Sequence, residues 1–122
     1  MLLKECYDSF GGSYEDVKSR IPSDAMIQKF ALKFLAEPSF DNLKVSLADE
    51  KYEEAFRAAH SLKGVCANLS FMKLCASSSE LTEALRGKSA LSVDKDLCMK
   101  LLEKVTEDYN EVIATLKKLE QA

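Results

Sequence analysis

The chain of 122 residues contains one histidine, His60, in the run Ala58-Ala59-His60-Ser61-Leu62-Lys63-Gly64-Val65-Cys66-Ala67-Asn68-Leu69. Imidazole is the side chain best suited to exchange a proton or a group near neutral pH. On a helical wheel the apolar stripe centres near Ala59 and Cys66, and His60 falls about 100° from Ala59, off that stripe. Its surface neighbours are then Phe56 at i−4, Lys63 at i+3, Gly64 at i+4 and Ala67 at i+7. Lys63 offers a mobile ammonium that can neutralise an anion carried on the ring. A glycine inside a helix costs about 1 kcal/mol relative to alanine. At position 64 it removes the side chain one turn beyond the imidazole and lets a bulky group come close. No carboxylate lies three or four residues from His60, so the ring has no acidic orienter on its own helix. This pattern fits an imidazole that is itself modified, with the rest of the catalytic machinery supplied elsewhere.

Other chemistries find little support. There is no P-loop, no G-x-G-x-x-G and no G-x-S-x-G elbow. Cys6, Cys66, Cys75 and Cys98 include no C-x-x-C pair, and each falls in an apolar helical stripe. They read as reduced core residues rather than metal ligands or disulfides. A single histidine rules out a two-histidine metal site within one chain, and no metal site is expected. Cys66, six residues after His60, lies about 120° from it round the helix and should face the core. Phe56 sits at the edge of the stripe. Arg57, Ser61 and Asn68 lie on the outer face, where with Phe56 and Ala67 they are candidates for a partner interface. The cluster Asp49-Glu50 and Glu53-Glu54 reads as a solvated helix start. Phe30, Phe34, Phe40 and Phe71 read as core.

The elements that must position His60 follow from apolar spacing. Leu3, Cys6, Tyr7 and Phe10 make a short amphipathic start that Gly11-Gly12 breaks. Ser13, with Asp16 three residues on, can cap the next turn. Ser23 or Asp24 can cap a helix to about Ala36 with Ile27, Phe30, Ala31, Phe34 and Leu35 inward. Pro38 ends it or opens the next stripe, Phe40, Leu43 and Leu47. A helix from about Lys51 to Leu69 buries Tyr52, Ala55, Phe56, Ala59, Leu62, Cys66 and Leu69. Another, from about Phe71 to Arg86, turns Phe71, Leu74, Cys75, Ser78, Leu81 and Leu85 inward, and Gly87 suits its C-terminal cap. Residues 87–94 read as a loop. Ser92 or Asp94 then caps a last helix of about 25 residues, roughly 38 Å long. Its stripe is Cys98, Leu101, Leu102, Val105, Tyr109, Val112, Leu116 and Leu119. No alternating strand pattern occurs. The expected fold is all-α, an antiparallel four-helix bundle with one or two short additional N-terminal helices.

The composition agrees. At 47% hydrophobic and 30% charged, with 4 Gly and 2 Pro, the chain suits one helical domain over residues 1–122 rather than a β-sandwich or a disordered segment. A net charge of −3 argues against a nucleic-acid partner held by phosphate contacts. No run of 18 apolar residues exists, and the N-terminus lacks a signal-peptide h-region. The expectation is a soluble, cytoplasmic protein with no membrane partner.

Ala59-His60-Ser61-Leu62-Lys63-Gly64, followed by Ala67-Asn68-Leu69, resembles the signature of histidine-containing phosphotransfer domains, helical bundles of multistep two-component phosphorelays. The resemblance implies that His60 accepts a phosphoryl group from a receiver-domain phospho-aspartate and passes it to a second receiver. It implies no kinase activity and no ATP site, so the protein would be a phosphotransfer intermediate rather than a stand-alone turnover enzyme. By position, Lys63 would stabilise the phosphoryl group and Gly64 give clearance. The chain would need no cofactor of its own, because the receiver supplies Mg²⁺. Partners would be response-regulator receiver domains, with a hybrid histidine kinase as a further candidate. The family often has Gly where this chain has Ser70, which could instead cap the following helix. Val65-Cys66 is also bulkier than the small pair often seen there. Two alternatives stay open: the phosphorylatable substrate domain of a chemotaxis-type histidine kinase, and a helical adaptor without phosphoryl chemistry.

Overall fold

The computed structural model describes residues 2–122. Short helices α1 (Leu3–Ser9) and α2 (Tyr14–Arg20) are followed by α3 (Asp24–Lys33), which tightens into a 3₁₀ turn at Phe34–Ala36. Four further helices follow: α4 (Ser39–Ala48), α5 (Tyr52–Leu69), α6 (Met72–Leu85) and α7 (Lys95–Gln121). No described residue lies in a strand. The fold is all-α, as the apolar spacing requires.

The last four helices form the antiparallel bundle. α5 packs between α4 and α6, and α6 packs on α7. The bundle closes between α4 and α7, where the Phe40 and Tyr109 rings stack with centroids 3.9 Å apart. At the opposite end of that pair, Lys95 of α7 reaches Glu50 beside the C-terminus of α4 at 3.0 Å. Leu43, Ala59, Leu62, Cys66, Leu74, Leu81, Val105, Val112 and Leu116 are fully buried between the helices. α7 is long but amphipathic, and no described helix is long and apolar enough to cross a membrane.

Side-chain caps set three of the seven α-helix N-termini among the described residues. Ser13 accepts from the Asp16 N–H at 3.1 Å, Ser23 from the Met26 N–H at 3.4 Å and Asp94 from the Leu97 N–H at 3.0 Å. Gly87 sits beyond α6 at φ +66°, the left-handed position that glycine occupies without penalty.

Several expectations need correction. Phe30 and Leu35 are only partly buried, because α3 lies at the periphery and Lys33 extends over the Phe30 ring, 5.4 Å from its centroid. Cys75 is likewise half-buried, while Cys6, Cys66 and Cys98 are buried and burial pushes their thiols up. Glu50 is not part of a solvated helix start. It takes a left-handed conformation (φ 57°) between α4 and α5 and pairs with Lys95.

The largest departure concerns Ser70. It does not cap α6, whose N-terminus has no side-chain cap. It ends α5 in the left-handed conformation (φ 59°, ψ 35°), and its N–H donates to the Ala67 carbonyl. Glycine would be at ease at this position. Here the N-terminal helices hold the strained turn. The Ser70 hydroxyl accepts from Arg20 Nη2 and donates to Asp16 Oδ2, both at 2.6 Å, and Arg20 Nη1 closes the triangle on Asp16 at 2.9 Å. Arg20 also reaches the Ala67 and Asn68 carbonyls at 3.2 and 3.0 Å, a cation at the negative end of α5. Tyr7 Oη donates to the Leu69 carbonyl at 2.8 Å, and Ser13 N–H to the Ser70 carbonyl at 2.9 Å. Gly12 allows this close approach. A Cβ there would lie 2.7 Å from Tyr7 Cδ2, 2.9 Å from Phe10 Cε1 and 3.1 Å from the Ser70 carbonyl oxygen.

Gly12→Ala is therefore expected to destabilise the fold by about 1–3 kcal/mol, the usual cost of overpacking, seen as a lowered Tm. The Ser70 hydroxyl first, and then Arg20, hold the Asp16 carboxyl below the ordinary carboxylate range. A depressed carboxyl contributes stability that is present above its ordinary value and lost as pH falls through its folded value. The Tm gap between wild type and Asp16→Asn, measured by calorimetry, should be open at pH 7 and close as pH drops below about 4.

Candidate functional site

α5 forms because alanines populate it, because Glu53 and Glu54 lie in its first turn, and because its apolar residues recur on one side. Tyr52, Ala55, Ala58, Ala59, Leu62, Cys66 and Leu69 are buried. His60 is exposed on the opposite side of that stripe, as the wheel requires. Cys66 faces the core with its thiol pushed up by burial, so it takes no part beside the ring.

Around the imidazole the structure gathers residues from two helices. Phe56, Arg57, His60 and Ser61 of α5 line one shallow depression with Arg86, the residue that ends α6. Phe56 is half-buried, and its ring centroid lies 5.9 Å from that of His60. The Arg86 guanidinium sits over the phenyl ring, 5.0 Å from its centroid. Arg57 pairs with Glu53 at 2.5 Å. Arg57 and Ser61 also line a second groove between α4 and α5, with Ser39, Asn42, Val45, Ser46, Glu54 and Ala58.

Lys63 is half-buried, one turn on from His60, and makes no ion pair among the described residues. Its backbone carbonyl accepts a weak bond from Cys75 Sγ of α6 at 3.8 Å, which ties this part of α5 to its neighbour. A Cβ on Gly64 would meet nothing within 4 Å. The glycine therefore meets no packing demand, and its cost to the helix is not repaid inside this chain. Ala67 and Asn68 are exposed but outside the depression, about 10 Å further along the helix axis. Their backbone carbonyls are engaged by Arg20 at the end of α5.

Two residues were not reached from sequence, Arg86 and Glu83. Arg86 Nε and Nη2 donate to the two carboxylate oxygens of Glu83 at 3.0 and 2.9 Å. Arg86 holds the Glu83 carboxyl below its ordinary range, with smaller contributions from Lys63 and His60. A signal for them did exist. Two antiparallel helices joined at residue 70 bring residue 56 level with residues near 84, by equal counting from the turn.

The site can therefore receive an anion at an exposed imidazole. Its donors are an ammonium, guanidinium groups and a hydroxyl, which suit phosphoryl or carboxylate oxygens. Among the described residues, no three His, Cys, Asp or Glu side chains converge as metal ligands would.

Comparison with known families matched the Hpt domain over residues 34–122, which spans α4 to α7 and leaves α1, α2 and α3 outside the match. Comparisons with curated proteins and with solved structures gave no match.

Because nothing surrounds position 64, Gly64→Ala should stabilise the fold by about 1 kcal/mol through helix propensity alone. A raised midpoint in urea denaturation would bear this out. A lowered one would mean that the glycine serves packing.

Proposed function

The chain belongs to the Hpt domain family, whose members have a histidine phosphotransfer role in phosphorelays and interact with response-regulator receiver domains, and from that membership we propose that His60 is its phosphoryl carrier. The family's chemistry needs a histidine, and the only histidine in this chain is exposed on a helix face beside a cation and an open glycine.

The proposed step is an in-line exchange. A ring nitrogen of His60 attacks the phosphorus of an aspartyl phosphate on a receiver. The N–P bond forms as the P–O bond to the aspartate breaks, and the carboxylate leaves with the bonding electron pair. Any proton on the other ring nitrogen can pass to solvent, because the ring is exposed. The reverse step delivers the group to a second receiver. Lys63 neutralises charge on the phosphoryl oxygens, and Gly64 lets the receiver's active site close over the ring. Positioning and electrostatic stabilisation are the main contributions such a transfer needs from protein side chains.

The divalent ion of this chemistry would come with the receiver. This chain's donor set around His60 is cationic and suits phosphoryl oxygens rather than a hard metal ion. Phe56 and Ala67 give the docking face apolar footing, while Arg57, Ser61 and Asn68 border it. We further propose that the described residues act as one phosphotransfer domain, since Leu3, Cys6, Tyr7, Phe10 and Val17 join the same buried core as the bundle. A cytoplasmic location follows from the receivers it would serve.

Incubation with a phosphorylated receiver should transfer label to the chain in a base-stable, acid-labile form, and His60→Gln should take up none. Label on His60→Gln equal to wild type would overturn the assignment, and wild-type binding without transfer would favour an adaptor. Lys63→Ala should slow transfer by about tenfold or more with Tm unchanged. Gly64→Ala should slow it despite the gain in stability, a combination that a purely structural glycine does not produce.

A further inference from the structure

The salt bridge at the end of α6 adds a second layer to the site, and the inference drawn from it rests on His60 being the phosphoryl carrier. Arg86 lines the same depression as the imidazole and is held there by the Phe56 face, 5.0 Å from the ring centroid. One edge of its guanidinium, Nε and Nη2, engages both carboxylate oxygens of Glu83, in the two-pronged geometry that a guanidinium also offers to phosphoryl oxygens. The pair is exposed, Arg86 at 53% and Glu83 at 61% of the side chain. Parting it therefore leaves Glu83 solvated rather than stranded, and an exposed pair of this kind contributes little to stability. Lys63 and His60 lie close enough to influence the Glu83 carboxyl.

We propose that Arg86 is a second phosphoryl-binding cation and that Glu83 competes with the phosphoryl group for it. In the free protein Glu83 holds the guanidinium in place against Phe56. When His60 carries a phosphoryl group, the guanidinium exchanges the carboxylate for phosphoryl oxygens, which bear more charge. Glu83 is then a positioning residue that acts through Arg86. It keeps the cation oriented in the empty state and limits how firmly the phosphoryl group is retained. A relay intermediate needs that limit, because a group bound too firmly is not passed on. No bond is made or broken beyond the transfer itself. The exchange is one of ion-pair partners.

The test needs no receiver. The whole chain is phosphorylated chemically with phosphoramidate, and loss of phosphohistidine is followed by ³¹P NMR. Glu83→Gln should lengthen its lifetime and Arg86→Ala shorten it, each by about two- to fivefold, the range that exposed charge contacts support. Arg86→Lys should fall between, since it keeps the charge and loses the fork. The double variant should behave as Arg86→Ala, because Glu83 acts only through Arg86. On phosphorylation of the wild type, the Arg86 Nε–H resonance should shift. Lifetimes insensitive to both residues, or a Glu83→Gln effect that persists without Arg86, would overturn the exchange while leaving His60 as carrier. No phosphohistidine at position 60 in the wild type would remove the carrier assignment and this inference together. Circular dichroism confirms folding, and unchanged lifetimes in folded variants count against the proposal.

Discussion

The rotation of α5 about its own axis is the constraint from which the site follows. The helix is packed on two sides, by α4 and by α6. Ala55, Ala59, Leu62 and Cys66 have no exposure. Turning the helix by one position, about 100°, would bring Leu62 and Cys66 towards water and the imidazole into the core. Fully burying a leucine is worth about 1.5–3 kcal/mol, and an unpartnered imidazole in the core carries a desolvation cost in the same direction. His60 is exposed because its neighbours are not, and the same rotation leaves position 64 facing open space.

The axial position of α5 depends on a different set of contacts. At its C-terminus a non-glycine residue adopts a left-handed conformation, and helices outside the family match hold it there. The Asp16–Ser70–Arg20 triangle, the Tyr7 hydroxyl on the Leu69 carbonyl and the tight Gly12 approach all converge on one turn. Charge-assisted hydrogen bonds of this length offset the strain of a Cβ at positive φ. The N-terminal segment thus completes a hairpin that a glycine would otherwise make easily, and the helix that carries His60 is anchored at the end remote from α4.

Electrostatics at the site is a local matter with little relation to the overall charge of −3. Lys63 comes from the helix of the imidazole and Arg86 from its antiparallel neighbour, while Arg57 is engaged by Glu53. One cation without an ion-pair partner among the described residues and one held by an exposed carboxylate differ in readiness to meet an incoming anion. That difference arises from pairing, since the ammonium and the guanidinium each carry one positive charge.

Helical class, the outward imidazole, its neighbour Lys63 and the open space at Gly64 are legible in the chain because each depends on spacing along a single helix, and the bundle is legible from several such helices with short connections. The cap at Ser13 is legible for the same reason, whereas Ser23 and Asp94 are each one of two neighbouring candidates, with Asp24 and Ser92 the others. Phe30 and Cys75 were placed too deep, since periodicity says which face is apolar but not how completely another helix covers it. Ser70 was assigned to the wrong helix terminus because its polar character fits a cap, whereas its conformation is set by residues some fifty positions earlier. Arg86 and Glu83 join the site only through the antiparallel return of α6. What lies on each helix can be read along the chain, for that follows from a fixed angle per residue. Which helices face one another, and which side chains meet, is settled in three dimensions, because those contacts join residues far apart in the chain and no local periodicity encodes them.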